Sequence, residues 1–272
     1  MKYSLILASL CLVTAALLIG QGGDATKGKG APKGATGGGK GGGKGAPKGG
    51  GYQPPEGPAP MTTWGKPDFN GVWQRPYVPN IEQTVGGALP YTEWGKQKWE
   101  SYNPAKDGDY TGACLPFGHV RALSSPDPVQ FMQTPTHFAF LYEQNTWFKV
   151  FPIDGRASKK KVPTWFGDSV GHWEGDTLVV VTTNFNGFTR LDTNGHPHSD
   201  QLKLTEKFTR TDLGHIAYEL TVDDPKTYTK PLVSKRTFTL RTDWEILEYS
   251  CEENNKGLIE GRIKVPDFEN QK

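Results

Sequence analysis

From residue 66 onward the chain is a succession of short runs in which apolar and polar residues alternate, separated by Gly, Asn, Asp and Pro. Alternation at period two marks a strand with one buried face. The pattern predicts an opening strand at 68–73. Further strands are expected at 129–134, 137–143, 146–152, 168–173, 177–184, 201–212, 215–223, 234–241 and 245–251. Short turns such as Glu174-Gly175-Asp176 and Asp212-Leu213-Gly214 join several of them, so the sheet should be antiparallel and mostly up-and-down. Closing such a meander on itself removes its exposed edges. The expected fold class is therefore mainly β: a single-domain antiparallel up-and-down β-barrel, lipocalin-like in general shape, with a β-sandwich as the alternative. One short helix is expected near 92–101, where Thr92 can cap the first turn and Trp94 and Lys98 fall on adjacent turns.

The first 60 residues follow different rules. Residues 1–20 place Lys2 before an apolar run from Leu5 to Ile19, the pattern of a secretory signal peptide, with cleavage expected between Gly20 and Ala25. An uncleaved anchor is the alternative, but the run is shorter than the roughly 20 apolar residues a bilayer needs. Residues 21–51 contain Gly, Lys, Ala, Pro and Thr but no aromatic or large aliphatic residue, and Lys-Gly-Ala-Pro-Lys-Gly occurs at 29–34 and again at 44–49. Such composition buries too little apolar surface to offset its ordering entropy and should act as a flexible tether. The expected organisation is a signal peptide over 1–25, a Lys/Gly/Pro-rich linker over 26–60 and the barrel domain over 61–272. After residue 20 no run reaches membrane-spanning length.

Charge changes meaning once the chain is divided. The formal net charge of +2 over 272 residues arises from seven basic residues and one acid in the first 51 positions. The remainder carries 24 basic and 28 acidic residues, so the folded body presents no general electrostatic case for nucleic acid. The six linker lysines could contact an anionic surface, or simply be a basic spacer. No P-loop or strand-associated GxGxxG occurs, which argues against a nucleotide-binding enzyme. With Cys11 inside the apolar run, Cys114 and Cys251 remain. A disulfide between them is the simplest reading in an oxidising compartment, two separate thiols the alternative. Together these features predict a secreted or periplasmic protein.

Candidate chemistry lies in four places. Asp168, Val170 and His172 share one side of the 168–173 run, with Trp173 on the other, so His172 could act as an acid or base oriented by Asp168. Hairpin architecture explains the same residues. In 201–212, Leu202, Leu204, Glu206, Phe208 and Arg210 share the apolar face. Glu206 and Arg210 are thus expected inside, as a paired structural bridge or as a polar patch in a ligand cavity. The 114–121 segment places His119 and Arg121 beside a cysteine and a turn glycine, and Arg121 could bind an anionic group. His196 and His198 sit in a loop where His198 could join His172 or Glu206. Their spacing does not make a convincing metal site, and no cofactor is expected.

The motifs also carry a resemblance. Segments 67–73, 114–118, 153–156, 167–180, 196–200, 206–210, 223–225 and 248–254 resemble, in that order, those of a family of secreted bacterial proteins of uncharacterised activity. The resemblance spans roughly 64–255 and implies an exported bacterial β-rich domain. It implies no reaction and no catalytic residue.

The functional expectation is a secreted barrel that binds a small apolar or amphipathic ligand in its cavity. Glu206 and Arg210 would lie inside, with His172, His198 and Arg121 near the mouth and His119 and Trp173 as further ligand-binding candidates. One alternative is a cofactor-free lyase, isomerase or hydrolase using His172 with Asp168 or Glu206. Another is a surface-attachment protein acting through the basic tail.

Overall fold

The computed structural model describes residues 51–103, 110–157, 162–253 and 255–265. All belong to one compact unit, Gly51–Lys272. The signal-peptide pattern and the lysine-glycine tract lie outside the described residues. The end of the expected linker is described, and it runs along the domain. The Tyr52 hydroxyl donates to Leu240 O at 2.7 Å, and Arg241 lies 4.1 Å over the Tyr52 ring.

Nine strands form the sheet: β1 Gly71–Gln74, β2 Val129–Gln133, β3 His137–Tyr142, β4 Phe148–Pro152, β5 Asp168–Glu174, β6 Thr177–Thr183, β7 Lys203–Arg210, β8 His215–Asp223 and β9 Leu232–Leu240. The helices are short: α1 Glu82–Val85, α2 Glu93–Glu100, α3 His119–Ala122 and α4 Lys256–Ile259. Thr92 caps α2 as the sequence predicts, its side-chain oxygen accepting from Gly95 N at 3.1 Å. The strand expected at 245–251 does not form. Leu247 and Tyr249 are exposed there, so the run covers no apolar face, and Leu247 N donates to the Glu143 carboxylate at 2.9 Å rather than to a neighbouring strand.

The strand order is β4-β3-β2-β1-β9-β8-β7-β6-β5, every neighbouring pair being antiparallel. Two meanders, β1–β4 and β5–β9, thus meet at the β1–β9 ladder and curl until β4 lies beside β5. The result is a nearly closed barrel. Its seam has a simple cause: eight antiparallel steps bring β5 back to the direction of β4, so an all-antiparallel ladder cannot close around an odd number of strands. Other contacts cover the seam. Gly155 N donates to Gly171 O at 3.1 Å, and a Cβ on Gly171 would come within 2.8 Å of Ile153 Cγ2. Inside, Lys149 of β4 donates to Thr182 Oγ1 of β6 at 3.3 Å, and Thr182 in turn meets Ser169 Oγ of β5 at 2.6 Å.

Alternation along the strands sends one face of each inward. The interior is filled by aromatic rings, with Phe131–Phe140 at 4.9 Å, Phe208–Tyr218 at 5.0 Å and Tyr218–Phe238 at 4.7 Å between centroids. Trp73, Phe69 and Phe138 are fully buried among them. Such rings bury large apolar areas, and edge-on, tilted and stacked pairs all occur among them. The expected disulfide is present, Cys114 bonded to Cys251 with a Cα–Cα distance of 5.5 Å.

Candidate functional site

Glu206 points into this aromatic interior and is fully buried. Its Oε1 accepts from the Tyr218 hydroxyl at 2.8 Å and its Oε2 meets His119 Nε2 at 2.8 Å. The far side of the imidazole, Nδ1, lies 2.8 Å from the Tyr142 hydroxyl. A chain Tyr142–His119–Glu206–Tyr218 therefore crosses the barrel, linking β3, α3, β7 and β8. Gly118 makes this possible at the helix start. Its φ is +89°, and a Cβ there would lie 2.5 Å from Thr189 Oγ1.

Burial pushes the His119 imidazole down, against the attraction of Glu206 and helped by Lys149 and Arg75. His119 is accordingly neutral, donating Nε2–H to Glu206 and accepting the Tyr142 hydroxyl at Nδ1. Burial alone would push the Glu206 carboxyl up. The adjoining His119 first, then Lys149 and the Tyr218 hydroxyl, outweigh it and hold the carboxyl below its ordinary value.

Both shifts give one pH dependence. A carboxylate held low stabilises the fold above its unfolded pKa and loses that contribution as pH falls through the lower folded value. A buried imidazole held low resists the proton that the unfolded chain takes up below 6.5. Thermal midpoints are expected to decline on acidification from about pH 6.5, more steeply below 4.5. A series of melts between pH 7 and 3 reads this directly, and a level profile down to pH 4 would contradict it.

Basic groups surround the chain. Arg75, which follows β1 on the face of Trp73, is 3% exposed, and Arg236 of β9 is 7% exposed. Arg75 Nη2 donates to Ser125 O at 3.3 Å and to Asp127 O. Arg236 Nη1 donates to Ser124 Oγ at 2.9 Å, and its Nε to Ser234 Oγ at 3.2 Å. Both arginines therefore grip the strip of chain at 123–127 that follows α3. The same strip, from Ser124 to Asp127, lines a cleft of about 290 Å³ together with Tyr77, Phe117, Arg121, Gln144 and Thr193. Arg121 leaves α3 on the cleft side, lying 4.9 Å over the Phe117 ring and donating to Thr111 Oγ1 at 2.7 Å.

The other expected site residues are elsewhere. Glu206 and Arg210 do not pair. Arg210 donates to the carbonyls of Asp212 and Asp68 at 2.9 Å each and to Leu213 O, with its guanidinium 4.5 Å over Trp73. His172 is on the outer face, its side chain 47% exposed and 3.4 Å from Glu174. Register explains this: Gly171 pairs with Val180 and Val180 with Glu206, so Gly171 rather than His172 occupies the Glu206 row. Asp168 is buried at the strand start and accepts from Asn184 Nδ2 at 2.8 Å. Trp173 stacks on Phe69 at 6.0 Å and carries Lys66 over its ring.

His198 does not reach His172 or Glu206. Its Nδ1 donates to Ser199 O at 2.9 Å and its Nε2 meets Thr189 Oγ1 at 2.6 Å. His196 pairs with Asp192 at 2.5 Å and stacks on Trp99 at 4.2 Å. Among the described residues no group of three or more His, Cys, Asp or Glu side chains is placed to hold a metal ion.

The residues missed from sequence are Arg75, Lys149, Arg236 and Tyr142. Their signal was available for β9, where Leu232, Ser234, Arg236 and Phe238 share the buried face as Leu204, Glu206 and Phe208 do in β7. No protein-family model matches the chain, and no curated protein matches it.

Proposed function

We propose that the protein is an exported binding protein for a small amphipathic molecule, taken up in the cleft beside α3. The observation that carries this reading is the pairing of aromatic surface with a positioned cation: Tyr77 and Phe117 line the cleft, and Arg121 is held by Thr111 and stacked on Phe117. Beside the aromatic surface the lining offers Ser124, Ser125, Gln144 and Thr193, polar groups able to fix a ligand's orientation, and about 290 Å³ suits a small ligand. The aromatic filling of the barrel interior favours the cleft over the interior as the place of binding. Export to a secreted or periplasmic location is supported by the apolar leader in the sequence and by the Cys114–Cys251 disulfide. Among the described residues no helix is long and apolar enough to cross a membrane.

The test is native mass spectrometry of the exported protein with organic extraction of whatever co-purifies, followed by titration of that compound into Arg121→Gln. A charge-assisted hydrogen bond contributes about 1.5–3 kcal/mol, so affinity is expected to fall roughly 10- to 100-fold. Unchanged affinity in the variant would remove Arg121, and the cleft with it, from the binding site.

A second reading, an acid–base enzyme, is supported by the Tyr142–His119–Glu206–Tyr218 chain, in which His119 takes the place expected for His172. It requires loss of turnover with retained affinity in His119→Gln.

A further inference from the structure

Guanidinium groups buried in protein normally have every N–H paired, and a buried donor without an acceptor is costly. Arg75 and Arg236 break this rule together. Arg75 Nε and Nη1 and Arg236 Nη2 are buried and meet no acceptor in the protein. The two side chains hold adjacent residues of the 123–127 strip and lie near enough to repel each other. Lys149 adds a third buried basic group to the same interior. The acids near them are Glu206, already engaged by His119 and Tyr218, and Asp127, whose contact with Arg75 is through its backbone carbonyl. The free N–H groups of Arg75 and Arg236 have the directionality that an anion's lone pairs require.

We propose that Arg75 and Arg236 form an internal anion site, taking a halide or a single small carboxylate group behind the 123–127 strip. Guanidinium donors recognise either, since both present compact negative charge and strong acceptor lone pairs. Neither arginine lines the cleft proposed above, although Ser124, Ser125 and Asp127 belong to both places. Its success or failure is told apart from that of the cleft reading by separate variants, Arg236→Gln for this site and Arg121→Gln for the cleft.

The experiment uses the full-length exported protein in gluconate buffer, an anion too bulky for an enclosed site. Chloride or acetate is titrated at constant ionic strength while the thermal midpoint is followed. Binding to the folded state alone raises the midpoint with the logarithm of anion concentration above Kd, by about 5 °C at roughly 100-fold Kd. Arg236→Gln should abolish the response, whereas Arg121→Gln should keep it. Crystals soaked in bromide should show an anomalous peak between the two guanidiniums. A response to chloride but not acetate would assign the site to free inorganic anion. A response to acetate would assign it to a small carboxylate. Equal midpoints in chloride, acetate and gluconate with no bromide peak would overturn the proposal, as would a full response retained in Arg236→Gln.

Discussion

Replacing Glu206 with alanine is expected to lower the unfolding free energy by about 3–5 kcal/mol, the cost of removing one member of a buried charged network. Two donors lose their acceptor at once, His119 Nε2–H and the Tyr218 hydroxyl. Arg236 and Lys149 lose the carboxylate that offsets them in the interior. A void is left among Phe208, Tyr218 and Phe140 as well. Glu206→Gln keeps the shape and one acceptor, so its cost should be smaller, about 1–3 kcal/mol for imperfectly satisfied buried groups. Denaturant titration at pH 7 measures both. The ordering matters more than either value: alanine no worse than glutamine, or both within 0.5 kcal/mol of the unaltered protein on the ordinary scale of surface changes, would mean that the network contributes little to the fold.

Removing the disulfide should cost a comparable amount. Cys114 and Cys251 are separated by 137 positions. On chain-entropy grounds a cross-link over such a loop stabilises by about 5 kcal/mol, and loss of a native bridge more generally costs about 2–5 kcal/mol. The change should also have a place. Residues 244–250 pair with no strand, and α4 is tied to the body through Asn255, whose Nδ2 donates to Gly112 O at 3.0 Å and to Cys114 Sγ at 3.3 Å. With both cysteines changed to serine, amide exchange should rise in the segment from Trp244 through α4 under conditions where β7 and β8 stay protected. The comparison is an unfolding curve and an exchange map of the double variant. An unchanged midpoint together with unchanged exchange after Trp244 would show that the bridge is dispensable.

Much of the barrel was legible because period-two alternation leaves little choice of face. In β7 and β8 the inward sets Leu204, Glu206, Phe208, Arg210 and Ile216, Tyr218, Leu220, Val222 are the ones that the pattern predicts. Pairing was harder to read. Glu206 and Arg210 share a face, but four residues along a strand separate them by about 13 Å, so only residues from other strands or helices can reach either one. Glu206 found His119, which is distant in sequence and carried on a one-turn helix with no periodicity of its own.

The parity of β5 was also read as the structure has it, with Asp168, Val170 and His172 on one side. Which side faced inward was not legible, since both carry polar and aromatic residues. The close approach of Ile153 to Gly171 settled it. The 245–251 run shows that alternation is not sufficient for a strand: its apolar residues must also find a face to cover, and Leu247 and Tyr249 stay exposed.

The strand order has a consequence for how this chain comes to be folded. Every ladder but one joins strands that follow each other in sequence. The exception couples β1 to β9 through Trp73↔Leu240 and Gln74↔Thr239. As the polypeptide emerges N-terminus first, β1–β4 can zip into hairpins early, and β5–β9 can do so later, each stretch closing only small loops. Neither becomes a barrel until the last strand is available to the first, and that step closes a loop spanning most of the domain. Until then two curled sheets expose their aromatic concave faces. The slow step, and the interval most open to aggregation, therefore belongs to a ladder of two residue pairs.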